Sequence, residues 1–240
     1  MKKKRCTAVI LAAGSGKRMN SGIAKQFLLL GGKPVLWYSL QAVEQSDIID
    51  DCILVTGEEN ITYAKKEIVK KYGFHKVVTV IEGGSERYES VYKALCVIAE
   101  GGLPVPNEDG YVFIHDGARP FLKETLLADT FREVCTHHAC VAAVPVKDTI
   151  KIANEEGFAI QTPARNLVWS VQTPQVFDTE LILHAYQELF RQPEAARQGI
   201  TDDAMVVENM LGTPVKLVMS SYDNIKITTP EDMRLAKMLL

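Results

Sequence analysis

The stretch Ala8-Val9-Ile10-Leu11-Ala12-Ala13-Gly14-Ser15-Gly16-Lys17-Arg18-Met19 decides the fold of this chain. Its first four residues are an apolar run that predicts a buried first strand, and the small residues that follow predict a tight turn. A turn of this kind lets backbone N–H groups approach the oxygens of a phosphate closely. Two cations, Arg18 and Lys25, lie in or just after it. The pattern favours phosphoryl or nucleotidyl transfer over an ordinary connection with solvated basic residues.

Two common phosphate-binding motifs do not fit this turn. No Gly-Lys-Ser/Thr closes it, so it is not a Walker A loop. The Gly-x-Gly-x-x-Gly spacing fails after Gly16, so it is not a dinucleotide fingerprint either.

Composition limits the class of protein and its partners. The chain has 240 residues, 47% of them hydrophobic, and a net charge of −3, which predicts one large α/β domain with a substantial core. This charge balance does not favour nucleic acid or a membrane surface as a partner, and the apolar runs are far shorter than a membrane span. The cysteines are odd in number and scattered, which is typical of reduced thiols in a cytoplasmic protein: Cys6, Cys52, Cys96, Cys135 and Cys140.

One cysteine-containing segment has the composition of a metal site. Residues 135–140 read Cys-Thr-His-His-Ala-Cys. We interpret them as a helix end running into a buried strand, a geometry that would point the four candidate ligands apart. No residue of the chain is predicted to be a metal ligand.

Apolar runs alternate with helical patterns along the chain. Strands are predicted at residues 8–11, 52–55, 77–81, 111–114, 141–144 and 215–218, and helices at 34–44, 61–72, 88–99, 123–136, 179–190, 202–210 and 230–239. This alternation predicts an α/β fold of the Rossmann-like kind, a mostly parallel sheet with helices on both faces. Ligands bind at the carboxyl ends of such strands, so the segments at Gly14, Gly84 and Asp116 should converge on one rim.

Residues 146–171 interrupt this alternation of strands and helices. Segments in which apolar and polar residues alternate flank the turn Asn154-Glu155-Glu156-Gly157. This pattern predicts a β-hairpin. A projecting hairpin cannot bury both of its faces alone, and a second subunit is the economical cover. We therefore predict a single domain over 1–240, with 146–171 as a β-arm.

Four further segments carry a family resemblance: residues 83–91 (Gly-Gly-Ser-Glu-Arg-Tyr-Glu-Ser-Val), 115–120 (His-Asp-Gly-Ala-Arg-Pro), 172–177 (Gln-Thr-Pro-Gln-Val-Phe) and 223–232 (Asp-Asn-Ile-Lys-Ile-Thr-Thr-Pro-Glu-Asp). With the first stretch, they resemble the cytidylyltransferase family of the nucleotide-sugar pyrophosphorylase superfamily. Within it, they resemble the enzymes that act on 2-C-methyl-D-erythritol 4-phosphate in non-mevalonate isoprenoid biosynthesis. The match runs from about Thr7 to the C-terminus.

The resemblance implies a reaction and its partners. CMP would pass from CTP to 2-C-methyl-D-erythritol 4-phosphate, forming 4-diphosphocytidyl-2-C-methyl-D-erythritol and releasing pyrophosphate. The resemblance also implies a nucleotide-diphospho-sugar transferase fold and a homodimer formed through the β-arm. Mg²⁺ would be carried mainly by the CTP phosphates, and a direct metal contact from Asp116 stays open.

The resemblance further implies the site residues. Arg18 and Lys25 would stabilise the transition state. CTP would be bound by Ala12, Ala13, Gly14, Gly16, Gly84, Ser85, Ser90, Asp116 and Gly117. The acceptor phosphate would be bound by Lys226 and by an arginine that acts in the neighbouring subunit's site, Arg165, with polar contacts from Thr173, Thr201 and Asp223.

Some positions depart from the family pattern or stay open. Ser85 stands where the pattern has Asp, a change that a backbone contact survives, and Gly117 replaces the more usual Ala. Arg87 is expected to brace its loop. Arg119 either pairs with an acid beneath the loop or contacts substrate.

Two alternative functions remain at this point. A ribitol 5-phosphate (pentitol-phosphate) cytidylyltransferase shares most of these motifs, although Thr201-Asp202-Asp203 and residues 169–177 favour the erythritol enzyme. A non-catalytic nucleotide-binding regulator is the second alternative, and the presence of both Arg18 and Lys25 argues against it.

Overall fold

The protein is represented by a computed structural model that describes residues 3–14 and 24–240. Over these residues the chain forms eleven strands: β1 (Cys6–Ala12), β2 (Leu29–Leu30), β3 (Lys33–Pro34), β4 (Asp51–Thr56), β5 (Val77–Glu82), β6 (Tyr111–Asp116), β7 (Ala139–Pro145), β8 (Ile152–Ala153), β9 (Ala159–Gln161), β10 (Trp169–Asp178) and β11 (Lys216–Met219). The α-helices are α1 (Val35–Gln45), α2 (Ile61–Tyr63), α3 (Arg87–Ala99), α4 (Glu124–His137), α5 (Thr179–Arg191), α6 (Asp203–Leu211) and α7 (Pro230–Leu239). Helix α2 continues directly into a π-helical segment, Ala64–Lys70.

The central sheet has seven strands in the order β11-β7-β10-β6-β1-β4-β5. Strand β10 runs antiparallel to both of its neighbours, and the other pairs are parallel. The mostly parallel α/β sheet predicted from the sequence is therefore confirmed. Parallel strands point their carboxyl ends the same way, so the segments after β1, β5 and β6 lie at one edge of the sheet.

Helices cover both faces of this sheet. Alternate residues of β1 serve the two sides: Ala8 and Ile10 belong to one hydrophobic core with α1 and α4, and Val9 belongs to another with α3, α5 and α6. A strand buried on both faces is apolar along most of its length, as β1 is. No helix of the described residues combines the length and the apolar character that crossing a bilayer requires.

Several helices begin one residue away from their predicted starts: α1, α4 and α6 begin one residue later and α3 one residue earlier. Thr229 caps α7, its side chain accepts from the backbone N–H of Asp232, and Pro230 is the first helical residue, as predicted. The prediction that α1 begins at Pro34 is wrong. Pro34 has the extended backbone of an N-cap, with ψ of 144°, and it pairs with Leu29 in the small β2–β3 hairpin before the helix begins at Val35.

Strand β10 was not predicted. It lies between β6 and β7, and its register shifts between Val171 and Gln175, where the Thr173-Pro174 peptide is cis. Upstream of it, β8 and β9 pair antiparallel, and the backbone N–H of Val146 donates to the carbonyl of Val168 at 3.1 Å. The segment between β7 and β10 thus leaves the sheet and returns to it at neighbouring strands.

The cysteines are all free thiols. In the segment 135–140, the Cys140 thiol donates to the carbonyl of Thr130, and the His138 ring contacts Asp178 at 2.7 Å. Cys140 and His138 therefore bond to different partners and do not share a site. Within residues 3–14 and 24–240, no three His, Cys, Asp or Glu side chains are grouped to hold a metal ion.

Candidate active site

A pocket of about 320 Å³ opens at the carboxyl-end rim of the sheet. It draws on the ends of β1 and β6, on the loop before α3 and on the segment before α7. The predicted convergence of the segments at Gly14, Gly84 and Asp116 is therefore confirmed. The predicted site residues that line it are Ala12, Ala13, Gly14, Lys25, Gly84, Ser85, Arg87, Ser90, Asp116 and Lys226.

The turn after β1 is held by a side chain that the sequence analysis did not select. Gln26 is buried, and its amide Nε2 donates to the carbonyls of Ala12 and Gly14. Gln26 follows Lys25 in sequence. The same short helical turn therefore brings a lysine to the pocket and anchors the backbone of Ala12 and Gly14, where the predicted phosphate-binding turn begins. The predicted Gly16 and Arg18 lie outside the described residues.

The loop at residues 84–86 is fixed by the first turn of α3. Ser90 is buried, and its hydroxyl oxygen accepts from the N–H of Gly84 at 3.0 Å. The Glu89 carboxylate accepts from both the N–H and the hydroxyl of Ser85, each at 2.8 Å, and from the N–H of Glu86 at 3.3 Å. The hydrogen bond from the Ser85 hydroxyl is the main reason that the pKa of Glu89 is lowered. Ser90 and Glu89 therefore shape this loop.

Asp116 is the centre of charge in the pocket. Its Oδ2 lies 2.9 Å from Nζ of Lys226 and 3.5 Å from Nε of Arg119. Its Oδ1 lies 3.6 Å from Nε of Arg87. Burial alone would raise the pKa of Asp116, but the three cations outweigh burial and hold the pKa well below its usual range. An ionised carboxylate surrounded by more positive charge than it cancels suits a polyanionic ligand.

Arg87 is braced from behind by a buried carboxylate. Its guanidinium forms two hydrogen bonds to Asp203, at 2.9 and 2.7 Å, and Asp203 is fully buried. The hydroxyl of Tyr186 donates to the same carboxylate at 2.6 Å, and Gln175 Oε1 accepts from the backbone N–H of Asp203. Burial disfavours the charged guanidinium, but the carboxylates of Asp203 and Asp116 raise the pKa of Arg87 above its ordinary value. Arg87 is thereby held as a fixed cation at the pocket wall.

Of the two roles left open for Arg119, the structure shows the pairing with an acid beneath the loop. Arg119 is buried, its Nε faces Asp116, and its Nη1 donates to the carbonyl of Asn224 at 2.7 Å. Burial lowers the pKa of Arg119, and Asp116 opposes that effect. The side chain thus ties the end of β6 to the segment that carries Lys226.

Gly117 and Thr173 face the protein interior. The N–H of Gly117 donates to the carbonyl of Leu11 at 2.8 Å, and a Cβ there would come within 2.8 Å of Leu36 Cδ1. Thr173 is buried, and its hydroxyl contacts both His115 Nδ1 at 2.9 Å and the N–H of Asp116 at 3.1 Å. Gly117 therefore allows the end of β6 to pack closely, and the Thr173 hydroxyl is used within the protein.

The remaining predicted acceptor contacts are exposed. Arg165 donates from Nη1 to the carbonyl of Lys147 at 3.4 Å, close in sequence to the β8–β9 hairpin. Thr201 donates to the sulfur of Met205 at 3.6 Å. An oxygen of Asp223 lies 3.7 Å from Nζ of Lys123. In the part of the chain that the structure describes, these three predicted residues do not line the pocket.

Sequence reasoning missed Gln26, Glu89 and the pairing of Asp203 with Arg87. Gln26 had a signal, because it is a polar residue between the predicted site residue Lys25 and an apolar run. Glu89 stands three residues after Glu86 and forms a capping box with it, a spacing readable from sequence. Asp203 lies 116 residues from Arg87, and no local pattern indicates that pairing.

Comparisons with known proteins agree with this geometry. The family model described as IspD, 2-C-methyl-D-erythritol 4-phosphate cytidylyltransferase, matches residues 6–240. The protein of that name from Lachnospira eligens is 49% identical, with 98% of each chain covered. Its counterpart from Lachnoclostridium phytofermentans is 46% identical over 99% of this chain and 97% of the relative.

Solved structures give the same match in three dimensions. The 4-diphosphocytidyl-2C-methyl-D-erythritol synthase of Anaerococcus prevotii superposes with a TM-score of 0.82 at 32% identity, covering 98% of this chain and 96% of the other. The 2-C-methyl-D-erythritol 4-phosphate cytidylyltransferase of Francisella tularensis gives a TM-score of 0.80 at 28% identity, covering 99% of this chain and 100% of the other.

Proposed function

The chain belongs to the 2-C-methyl-D-erythritol 4-phosphate cytidylyltransferase family, and from that premise we propose that the pocket beside Asp116 is where CMP is transferred. The chain is a nucleotidyltransferase that carries out CTP-dependent cytidylyl transfer in isoprenoid biosynthesis. One observation carries the proposal. The same pocket is lined by the turn after β1, by Lys25, by the 84–86 loop, and by Asp116 with its neighbouring cations.

The reaction needs positioning more than it needs a base. A phosphate oxygen of 2-C-methyl-D-erythritol 4-phosphate attacks the α-phosphorus of CTP and forms the new P–O bond. The bond between the α-phosphorus and the bridging oxygen breaks, and pyrophosphate leaves with that electron pair. The attacking phosphate is already an anion near neutral pH, so no proton has to be removed from it. Catalysis then rests on alignment and on neutralising transition-state charge.

We assign the nucleotide half of the site to the turn after β1, to the 84–86 loop and to the end of β6. The backbone at Ala12, Ala13, Gly14 and Gly16 would wrap the phosphates, and Arg18 and Lys25 would stabilise the transition state. The loop residues Gly84 and Ser85 would contact the base. We revise the roles of three residues whose contacts lie within the protein. Ser90 shapes the 84–86 loop at the pocket wall, and Gly117 and Thr173 lie behind the pocket.

We assign the acceptor half to Lys226 and to Arg165 of a second subunit. Lys226 lines the pocket and lies 2.9 Å from Asp116, so its charge is beside the nucleotide site. Thr201 and Asp223 would add polar contacts. The exposed position of Arg165, outside the pocket of its own chain, supports its use by a neighbour.

The residues of the pocket fit a divalent cation that is bound mainly by the substrate phosphates. Mg²⁺ is bound by one or two carboxylates plus substrate phosphates, and Asp116 is an ionised carboxylate that lines the pocket. Because three cations already surround Asp116, the residues suit a metal that arrives on the triphosphate. We propose that Mg²⁺ does so, with Asp116 as the protein group near it, and that it neutralises charge on the phosphates.

The arm at residues 146–171 supports a homodimer of single-domain subunits. Its apolar side chains are exposed in the single chain, with Phe158, Ile160 and Leu167 at 67%, 66% and 76%. Several exposed apolar side chains on one projecting segment are typical of a protein contact. A second copy of the arm would cover it and would carry Arg165 toward the neighbour's pocket. The free thiols and the biosynthetic role support a cytoplasmic setting.

Substrate choice tests the function. Purified protein is offered CTP, UTP, ATP and GTP with either 2-C-methyl-D-erythritol 4-phosphate or ribitol 5-phosphate, and pyrophosphate release is measured. Release with CTP and the erythritol phosphate is expected. Faster release with ribitol 5-phosphate would reassign the acceptor, and no release with any pair would favour a nucleotide-binding regulator.

Subunit mixing tests the shared site. Arg165→Ala and Lys25→Met proteins are each expected to be nearly inactive. After subunit exchange, each mixed dimer has one site with both lesions and one site with neither, so activity should return. If Arg165 serves its own chain, every site keeps one lesion. A mixture that stays inactive, with exchange verified by mass spectrometry, would contradict the shared site.

A further inference from the structure

A chain of buried hydrogen bonds lies directly beneath Asp116. The hydroxyl oxygen of Thr173 accepts from the N–H of Asp116 at 3.1 Å, and the same oxygen lies 2.9 Å from Nδ1 of His115. The other ring nitrogen of His115, Nε2, lies 3.2 Å from the carbonyl oxygen of Arg119. His115 and Thr173 are 1% and 3% exposed, so bulk water does not compete for these bonds.

These bonds continue into the segment that carries Lys226. Arg119 donates to the carbonyl of Asn224 at 2.7 Å, and the side-chain amide of Asn224 donates to the carbonyl of Thr173 at 2.9 Å. One residue beyond Lys226, the backbone N–H of Ile227 donates to the carbonyl of Ala118 at 2.8 Å. The bonds therefore close into a ring that joins the end of β6, the middle of β10 and the segment before α7.

The partners of His115 determine where its proton lies. A carbonyl oxygen can only accept, so Nε2 must carry the hydrogen that is donated to Arg119. In the neutral ring Nδ1 is then an acceptor, and the Thr173 hydroxyl has to donate to it. That leaves the lone pairs of the Thr173 oxygen for the N–H of Asp116. Each of these polar groups has one consistent role in a neutral ring, and the ring is buried where a positive charge would be poorly solvated.

We propose that His115, acting through Thr173, is a positioning residue that sets the backbone at Asp116 and the place of Lys226 beside it. His115 does not line the pocket, so its effect on the reaction passes through the groups that do. The inference rests on the proposed function for its kinetic consequence. Its structural statement, a neutral ring with the hydrogen on Nε2, can be tested without activity.

Nuclear magnetic resonance tests the structural statement. Long-range ¹H–¹⁵N correlations of the histidine rings distinguish the two neutral tautomers and the protonated ring. The His115 signals, identified by their loss in His115→Phe or, if that variant does not fold, in His115→Asn, should show the Nε2–H form at pH 7. A ring with the hydrogen on Nδ1, or a protonated ring at pH 7, would overturn the proposal whatever the enzyme's activity.

Steady-state kinetics test the positioning. Thr173→Val keeps the side-chain shape but removes both hydroxyl bonds. The kcat/KM for the acceptor phosphate should therefore fall by at least roughly tenfold, since the loss of a single buried hydrogen bond has about that effect. The KM for CTP should rise as well, because Asp116 at the end of β6 belongs to the nucleotide half of the site, even though Gln26, Glu89 and Ser90 still hold the turn after β1 and the 84–86 loop. Thr173→Ser restores a hydroxyl and should recover most of the loss.

A matched control separates positioning from loss of stability. Thr130 is also a fully buried threonine, and its hydroxyl donates to the carbonyl of Leu126 within α4, away from the pocket. Thr130→Val should lower the melting temperature without changing either KM. If Thr173→Val behaves in the same way, with both KM values unchanged, the positioning role is wrong. If the wild-type enzyme transfers no CMP to any acceptor, the proposed function fails while the tautomer result stands by itself.

Discussion

Replacing Asp203 by asparagine should reveal how strongly the pocket wall depends on one buried carboxylate. Asp203 has no exposed side-chain surface, and it receives two hydrogen bonds from Arg87 and one from the hydroxyl of Tyr186. Asparagine is nearly the same size but carries no charge, and its NH₂ group would face donors. The guanidinium of Arg87, about one-quarter exposed, would lose its main counter-charge.

The expected cost follows from that burial. Removing one partner of a buried ion pair destabilises a protein by about 3–5 kcal/mol, because the other charge remains uncompensated. With a urea dependence near 3 kcal/mol per molar for a chain of this size, the unfolding midpoint of Asp203→Asn should fall by roughly 1–2 M. The KM for CTP should also rise, because Arg87 lines the pocket.

A surface pair provides the control for this measurement. Asp129 and Arg132 form an ion pair on α4 with side chains 40% and 73% exposed, and such pairs contribute at most about 1 kcal/mol. Asp129→Asn should therefore move the urea midpoint only slightly and leave the KM for CTP unchanged. If the midpoints of the Asp203 and Asp129 variants move by the same small amount, the reasoning about the buried pair is refuted.

Three further measurements test the assigned roles. Lys25→Met should lower kcat roughly a hundredfold or more through loss of one preorganised charge, with the urea midpoint nearly unchanged, and near-normal turnover would remove the assignment. Lys226→Ala should raise the KM for the sugar phosphate and spare that for CTP; the reverse pattern would place Lys226 in the nucleotide half. Burial lowers the pKa of His115 from 6.5 to about 4, so at this residue the unfolded chain binds more protons between these values. The contribution of His115 to the free energy of unfolding should therefore fall by up to about 3 kcal/mol as the pH drops from 6.5 to 4. His115→Asn should lose that part of the pH dependence in urea titrations, and an unchanged dependence would contradict the assignment.

The sequence was most informative where structure is local. The apolar run of β1, the alternation of strands and helices, and the start of α7 at Pro230 each rest on neighbouring residues, so they can be predicted by reading along the chain. Strand β10 escaped because the polar residues and proline of Gln172-Thr173-Pro174-Gln175 interrupt its apolar pattern. Those side chains are buried all the same, since they hold the site together.

The candidate site shows the same division. Gly14, Gly84 and Asp116 lie at or just after the ends of β1, β5 and β6, so their meeting at one rim could be predicted from the order of elements. The groups behind them could not, because their partners are distant in sequence: Arg87 with Asp203, and Arg119 with Asn224. Tertiary pairing also decides that the Thr173 hydroxyl faces His115 and the Asp116 backbone, where the family resemblance had suggested a substrate contact.

The position of β10 has a consequence for the protein as it leaves the ribosome. Strands β6 and β7 are consecutive among the central strands, yet they are not neighbours in the sheet, because β10 fills the gap between them. A nascent chain that ends within the arm has made neither β10 nor β11, so one edge of β6 and both edges of β7 are unpaired. Such edges are templates for association with other strands. At ordinary synthesis speeds, the stretch from Pro145 to Asp178 takes roughly 2–7 s to emerge. Stalled or truncated products that stop there should aggregate or be degraded, since the middle of their sheet is still open.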